Sequence, residues 1–191
     1  PGSLGIEGPA RIAFVTGDGE ITRGAPHETT MDGGITASGM VPLLNKLEHD
    51  GSIRGVVLRI DSPRGFVSGC METARAIRAL ADGSGKILVA YVDGAACSAA
   101  YALACVAHHV VAPQSATLGS IGVLMARTDA SEALAAAGVR LHLIKSGARK
   151  GDGTAEVPVS ADELAAIQDT VDTQAALFFD HVAQFRPAVT V

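Results

Sequence analysis

The feature that most constrains this chain is an alternation. A short apolar, β-branched run meets an Asp-containing turn, and a helical stretch follows. Gly55-Val56-Val57-Leu58-Arg59-Ile60 stops at Asp61-Ser62-Pro63, and the spacing of Ala74, Ile77 and Leu80 predicts a helix from about Gly69 to Ala81. Ile87-Leu88-Val89-Ala90-Tyr91-Val92 stops at Asp93-Gly94, and the small residues from Ser98 to Ala107 predict a tightly packed helix. Strands that alternate with helices in this way argue for an α/β fold with a largely parallel sheet flanked by helices.

The rest of the chain extends the pattern. Arg11–Val15 reads as a first strand closed by Thr16-Gly17-Asp18-Gly19, and residues 17–36 as a mobile surface segment. Met40, Leu43, Leu44 and Leu47 recur at helical spacing between Ala37 and His49, with Pro42 expected in the first turn, where a missing N–H costs little. Further strands are expected at His109–Ala112, Ser120–Leu124 and Val139–Ile144, with a helix over Ala130–Ala137. Ser160-Ala161-Asp162-Glu163 is a capping box, in which the Ser160 hydroxyl accepts from the Glu163 N–H and the Glu163 side chain reaches back to the Ser160 N–H. Leu164, Ile167, Val171, Ala175, Phe178, Val182 and Phe185 then keep 3/4 spacing, a stripe that reads as core sooner than as partner surface.

Composition narrows the function classes. At 191 residues the chain has room for one domain, expected over residues 11–186 between a disordered leader (1–10) and a short tail (187–191). A hydrophobic content of 48% excludes a disordered chain. The net charge is −5 and no basic run occurs, so there is no nucleic-acid footprint. Cys70, Cys97 and Cys105 form no CxxC pair, which fits a reducing compartment and argues against a metal site. No apolar run reaches the ~18 residues that a membrane span needs.

Three constellations could carry chemistry. In Asp93-Gly94-Ala95-Ala96-Cys97-Ser98-Ala99-Ala100-Tyr101, Ser98 stands where a helix begins, so free N–H groups and the helix dipole favour negative charge beside its hydroxyl. From spacing alone, a plain N-cap is the commoner explanation of such a serine. In Asp61-Ser62-Pro63-Arg64-Gly65, Gly65 could offer its N–H to an oxyanion, although a strand-ending turn explains the segment equally. In Lys145-Ser146-Gly147-Ala148-Arg149-Lys150-Gly151-Asp152, a lysine could act as general base if burial or cationic neighbours lowered its pKa; a solvated basic loop is the usual reading.

Taken in order, these segments, with Leu118-Gly119-Ser120-Ile121-Gly122-Val123 between the first and the last, resemble the signal peptide peptidase family of serine proteases over roughly residues 11–185. The Lys150-Gly151-Asp152-Gly153 run and the long helix after it look most like the phage and prophage capsid maturation proteases of that family. The resemblance implies a Clp-protease/crotonase-like fold and a cofactor-free Ser–Lys dyad acting on protein or peptide substrates. It also implies a homo-oligomer, in a bacterial host's cytoplasm or in a procapsid. It assigns Ser98 as nucleophile, Lys150 as general base, Ser120 as the hydroxyl that orients Lys150, and the N–H groups of Gly65 and Ala99 as the oxyanion hole. Arg64 departs from the pattern, standing where the family usually has the first glycine of a pair; arginine does not readily adopt φ > 0.

Other readings stay open at this level. A signal-peptide-degrading peptidase would use the same residues. A crotonase-like acyl-CoA enzyme would share the fold without requiring Ser98, and an assembly module would need neither Ser98 nor Lys150. His108 or His109 could serve a Ser–His pair, although one of them is expected to face the core or a neighbouring carbonyl. His142 is expected to point away from the face of Leu141 and Leu143, and Cys97 to be a small buried thiol.

Overall fold

The computed structural model describes residues 10–21, 37–66 and 68–190. The leader expected over 1–10 lies outside them but for Ala10, as does residues 22–36 of the segment expected to be mobile. Two compact units emerge, Pro1–Gly122 with Leu177–Val191, and Val123–Ala176.

In the first unit, strands β1 (Arg11–Asp18), β2 (Ile53–Ser62), β3 (Ile87–Cys97) and β4 (His109–Val111) lie side by side in that order, all parallel. Strand β5 (Thr117–Gly119) pairs with the far end of β3, beyond β4. One sheet face is apolar at alternate positions: Val56, Leu58 and Ile60 on β2, then Leu88, Ala90 and Val92 on β3. Helix α2 (Cys70–Gly83), short α3 (Ala99–Ala104) and the end of α5 (Ala161–Phe185) complete one core with this face, through Ala74, Ile77, Phe178 and Val182. Full burial of each such Ile, Leu or Phe side chain contributes ~1.5–3 kcal/mol. All six residues of α3 are buried. Five of the six are Ala or Leu, so the helix can sit close against the sheet. On the other face Ile12, Phe14 and Ile87 remain exposed.

Several expectations shift. Strand β1 runs on through Thr16 and Gly17 to Asp18, and Ile21 is buried against Gly65 through an isolated parallel bridge. Helix α1 (Ala37–Glu48) starts early enough that Pro42 falls in its second turn, where it forgoes a backbone bond. Strand β3 does not stop at Asp93-Gly94. The β2–β3 register slips between Ile60 and Ser62, and the Asp61 carboxylate bridges the irregularity by accepting the Ala95 N–H at 3.0 Å. Gly94 allows this, since a Cβ there would lie 2.8 Å from Asp61 Oδ1. The strand expected at Ser120–Leu124 forms instead at Thr117–Gly119. It ends because Gly119 (φ 116) and Ser120 (φ 52) both leave the extended region.

The second unit holds α4 (Ser131–Ala136) and the first part of α5. Val139–Ile144 is not a strand: no described segment pairs with it, and Val139, Leu141, Leu143 and Ile144 are exposed. Alternation alone does not make a strand without a ladder partner. His142 is exposed with its neighbours, so there is no buried leucine face for it to turn from. Half of the capping box forms, with the Glu163 N–H donating to Ser160 Oγ at 3.1 Å. The Glu163 side chain turns elsewhere. The stripe on α5 is core at Phe178 and Val182, whereas Leu164 is exposed.

Candidate active site

Ser98 is the single residue between the end of β3 and the start of α3, and its backbone is held at φ 56, ψ −121. Non-glycine residues pay ~1–3 kcal/mol for such conformations, which persist only where the surroundings impose them. Here the Ser98 N–H donates to the Gly119 carbonyl at 2.8 Å, and the Ser98 carbonyl accepts from the N–H groups of Tyr101 (2.9 Å) and Ala102 (3.1 Å). Ser98 thus occupies the N-cap position, yet its hydroxyl makes no capping bond. A half-buried hydroxyl on a strained strand-to-helix turn is left uncommitted by the helix it precedes.

The neighbours of that hydroxyl follow from the same turn. Ala99 opens α3, so its N–H belongs to the turn that has no intrahelical acceptor. Gly65 packs directly against it: a Cβ on Gly65 would lie 2.9 Å from the Ala99 Cβ and 2.6 Å from the Ile21 Cβ. The bridge to Ile21 is made by the residues flanking Gly65, with Ile21 N–H donating to the Arg64 carbonyl (3.2 Å) and Phe66 N–H to the Ile21 carbonyl (2.9 Å). In a parallel bridge of this kind the central residue turns its own N–H away from the partner. Arg64 forms the turn without a positive φ and lies exposed, 3.6 Å from Glu20, so the glycine it replaces is not needed for backbone freedom.

Ser98, Ala99, Gly65 and the Gly119-Ser120 corner are therefore gathered in the first unit, with Ser120 exposed. Lys150 belongs to the second unit. It is exposed in a loop whose Lys150 N–H donates to the Gly147 carbonyl at 3.1 Å, and Gly151 (φ 117) and Gly153 (φ 92) shape the chain after it. Lys145 turns its Nζ onto the Ala148 carbonyl.

Of the rival residues, His108 is occupied. His108 Nδ1 accepts the Leu88 N–H at 2.9 Å, which leaves Nε2 to donate to Asp82 Oδ1 at 2.9 Å, so both ring nitrogens serve the fold. Its partners are an N–H and a carboxylate rather than a carbonyl, and His109 is exposed on β4. Cys97 is half-exposed rather than buried, its thiol 3.7 Å from the Thr117 carbonyl. Burial pushes the Cys70 and Cys105 thiols up to about 12, far from thiolate reactivity. Among the described residues no three His, Cys, Asp or Glu side chains group as a metal site, and no helix is long and apolar enough to cross a membrane.

Two residues have roles that the sequence does not assign. Asp61, which opens the Asp61–Gly65 motif, is the carboxylate that carries β3 past its register slip towards Ser98. Arg127 pairs with Glu163 across 36 residues, a separation that periodicity cannot reveal.

The sequence pattern of peptidase family S49 matches residues 81–190, which include Ser98, Ser120 and Lys150. The head-tail preconnector protein GP5 of Enterobacteria phage P21 is 35% identical over 147 residues, covering 77% of this chain and 29% of that protein. Capsid assembly protease C of Escherichia phage lambda is 31% identical over 148 residues, 78% of this chain and 33% of that protein. A putative signal peptide peptidase SppA of Enterococcus faecium is 29% identical over 143 residues, covering 75% and 41%. The chain thus spans well under half the length of these relatives. It belongs to peptidase family S49.

Proposed function

We propose that this chain is a serine endopeptidase working through a Ser–Lys dyad, with Ser98 as nucleophile and Lys150 as general base. The observation that carries the reading is the Ser98 turn: a hydroxyl that caps nothing, on a backbone at φ 56, beside the free N–H of Ala99 and the close-packed Gly65. In the reaction, neutral Lys150 takes the Ser98 proton as Oγ attacks a peptide carbonyl. The N–H groups of Gly65 and Ala99 receive the developing oxyanion, and the Ser120 hydroxyl orients Lys150. The Lys150 ammonium then protonates the leaving amine; water attacks the acyl carbonyl as it gives a proton to Lys150, and Lys150 returns that proton to the departing Ser98 Oγ. The chemistry balances without a cofactor.

The substrates on this reading are scaffold or head proteins of a phage or prophage capsid, cleaved in the host cytoplasm or the procapsid. Similarity to a protein named as a capsid assembly protease and to a head-tail preconnector protein supports this. A homo-oligomer belongs to the same reading, supported by the exposed apolar Ile12, Phe14 and Ile87 on one sheet face.

The test is cleavage of casein and of a phage scaffold protein by the parent, Ser98→Ala and Lys150→Ala, across about pH 6–10. Both substitutions abolish cleavage if the dyad is right, and parent activity rises towards alkaline pH. Full activity in Ser98→Ala overturns the nucleophile and turns attention to Cys97. Coenzyme A thioester binding with Ser98 dispensable would instead indicate an acyl-CoA enzyme.

A further inference from the structure

The loop that carries Lys150 is clamped a few residues downstream by an ion pair nearly excluded from solvent. Arg127 Nε lies 2.5 Å from Glu163 Oε1, and the two side chains are 9% and 5% exposed. The same carboxylate oxygen accepts the Gly153 N–H at 2.8 Å, three residues after Lys150. Arg127 Nη2 donates to the Thr154 carbonyl at 2.8 Å, and Nη1 to the Thr128 carbonyl. A second tie runs alongside, from the Ala130 N–H to the Ala155 carbonyl at 2.8 Å.

The clamp sets geometry as well as holding charge. The hydrogen bonds from Arg127 and the Gly153 N–H outweigh burial and hold the Glu163 carboxyl below its ordinary range, while apolar side chains of similar volume in place of a buried ion pair commonly leave stability unchanged. A cavity of about 420 Å³ lies against the pair, lined also by Arg149, Asp152 and Ile167, while nearer Lys150 the chain packs at Gly151, which has no room for a side chain beside Leu143. What the pair supplies is direction: a planar guanidinium and a carboxylate take one N–H and one carbonyl of consecutive residues, Gly153 and Thr154, with Gly151 (φ 117) the one glycine between them and Lys150.

We propose that Arg127 and Glu163 are positioning residues for Lys150, holding the end of its loop so that the amine keeps one place. The proposal rests on Lys150 being the general base of the proposed dyad.

The experiment compares the full chain with Glu163→Gln, with the paired apolar replacement Arg127→Met/Glu163→Leu, and with Lys150→Ala. Each is read by casein-peptide kcat and KM, by amide exchange at Gly153, by urea unfolding, and by the pH profile of Lys150 acetylation. The expected result for the paired replacement is an unfolding midpoint at or above the parent's, faster Gly153 exchange, and a shifted Lys150 acetylation profile. Its kcat falls ~10–100-fold, as sub-ångström to ångström misplacement of a reacting group does, while KM stays within about twofold. Glu163→Gln, which keeps an acceptor for Gly153, recovers part of that loss. A paired replacement with parent kcat and an unchanged acetylation profile, while Lys150→Ala is inactive, overturns the clamp and leaves the dyad standing. Parent activity in Lys150→Ala overturns both. If the paired replacement fails to fold, Glu163→Gln decides: a parent-like acetylation profile with slowed catalysis counts against positioning, and a shifted profile with intact stability supports it.

Discussion

The Ser98 N–H donates to the Gly119 carbonyl at 2.8 Å, and this bond joins two stretches of backbone that both leave the usual L-residue regions, Ser98 at φ 56 and Gly119-Ser120 at φ 116 and 52. The β3–β5 ladder that pairs Cys97 with Gly119 drives them together. Strain at Ser98 is therefore held by the sheet, and it becomes measurable once the side chain is removed. Ser98→Ala keeps a Cβ in the strained conformation, whereas Ser98→Gly relieves it. Both variants lose cleavage on the proposed mechanism, and the glycine variant is more stable than the alanine variant by about 1 kcal/mol. Urea unfolding of the two checks this; equal midpoints would mean that the turn is not strained.

Gly65 has no room for a side chain. A methyl group there meets the Ile21 Cβ at 2.6 Å, and the Ala99 Cβ and Ile21 carbonyl oxygen at 2.9 Å. Gly65→Ala must push the turn away from α3, at a cost of about 1–3 kcal/mol as for other overpacked sites. It would carry the Gly65 N–H with it, so the proposed oxyanion hole loses a donor and kcat falls about 10²–10³-fold. Arg64→Gly, by contrast, leaves activity near the parent's, because Arg64 keeps a negative φ and its side chain is exposed. A Gly65→Ala variant with parental kcat would remove Gly65 from the site.

Which parts of this were legible in the sequence depended on how locally each was determined. Helix α2 declared itself through Ala74 and Ile77, and the parallel character of the sheet followed from the alternation of strands and helices, though the order of its strands did not. The position of Ser98 between strand and helix was readable too, but its dihedral angles were not. They are imposed by β5, which sits 20 residues further along the chain. Glu163 shows the same limit within one residue. Its N–H obeys the local capping rule with Ser160, while its carboxylate answers to Arg127 and Gly153, which no local rule can see. The run Val139–Ile144 failed for the opposite reason, since its pattern was right for a strand and it found no partner among the described residues.

Asp129 makes the start of α4 sensitive to acid. Its Oδ1 accepts the Ser131 hydroxyl (2.6 Å) and N–H (2.9 Å), and Oδ2 accepts the Val159 N–H (3.0 Å). The Ser131 hydroxyl first, then the Val159 and Ser131 N–H groups, hold this carboxyl at about 2, below its ordinary 3.8. A depressed folded value means that the stabilisation is complete above the unfolded pKa and is lost as pH falls from about 4 to about 2. Asp129→Asn removes that acid-labile part, so its stability is lower than the parent's at pH 7 and the two converge near pH 2. Unfolding curves that stay parallel across this window would refute the assignment.

His181 gives the first unit its own pH dependence. The ring is fully buried, donates from Nε2 to the Ala102 carbonyl at 3.0 Å on α3, and stacks edge-on with Phe185 at 5.2 Å. Its Nδ1 has no partner among the described residues, so a second proton has nowhere to go. Burial lowers the pKa below 6.5, with Arg75 acting in the same direction and the Ala102 carbonyl and Glu72 opposing. A histidine depressed in the folded state binds its proton more readily when unfolded. Stability is therefore greatest above about pH 6.5 and declines as the pH falls towards the folded value. His181→Gln keeps an N–H donor for Ala102 without the titration, so its stability changes less than the parent's between pH 7.5 and 5. Both forms can be followed in a Tyr91→Phe background, where Tyr101 on α3 is the single tyrosine of a chain without tryptophan. A parent whose Tyr101 signal and unfolding midpoint track those of His181→Gln through this range would show that the buried imidazole does not titrate the contact between α5 and α3.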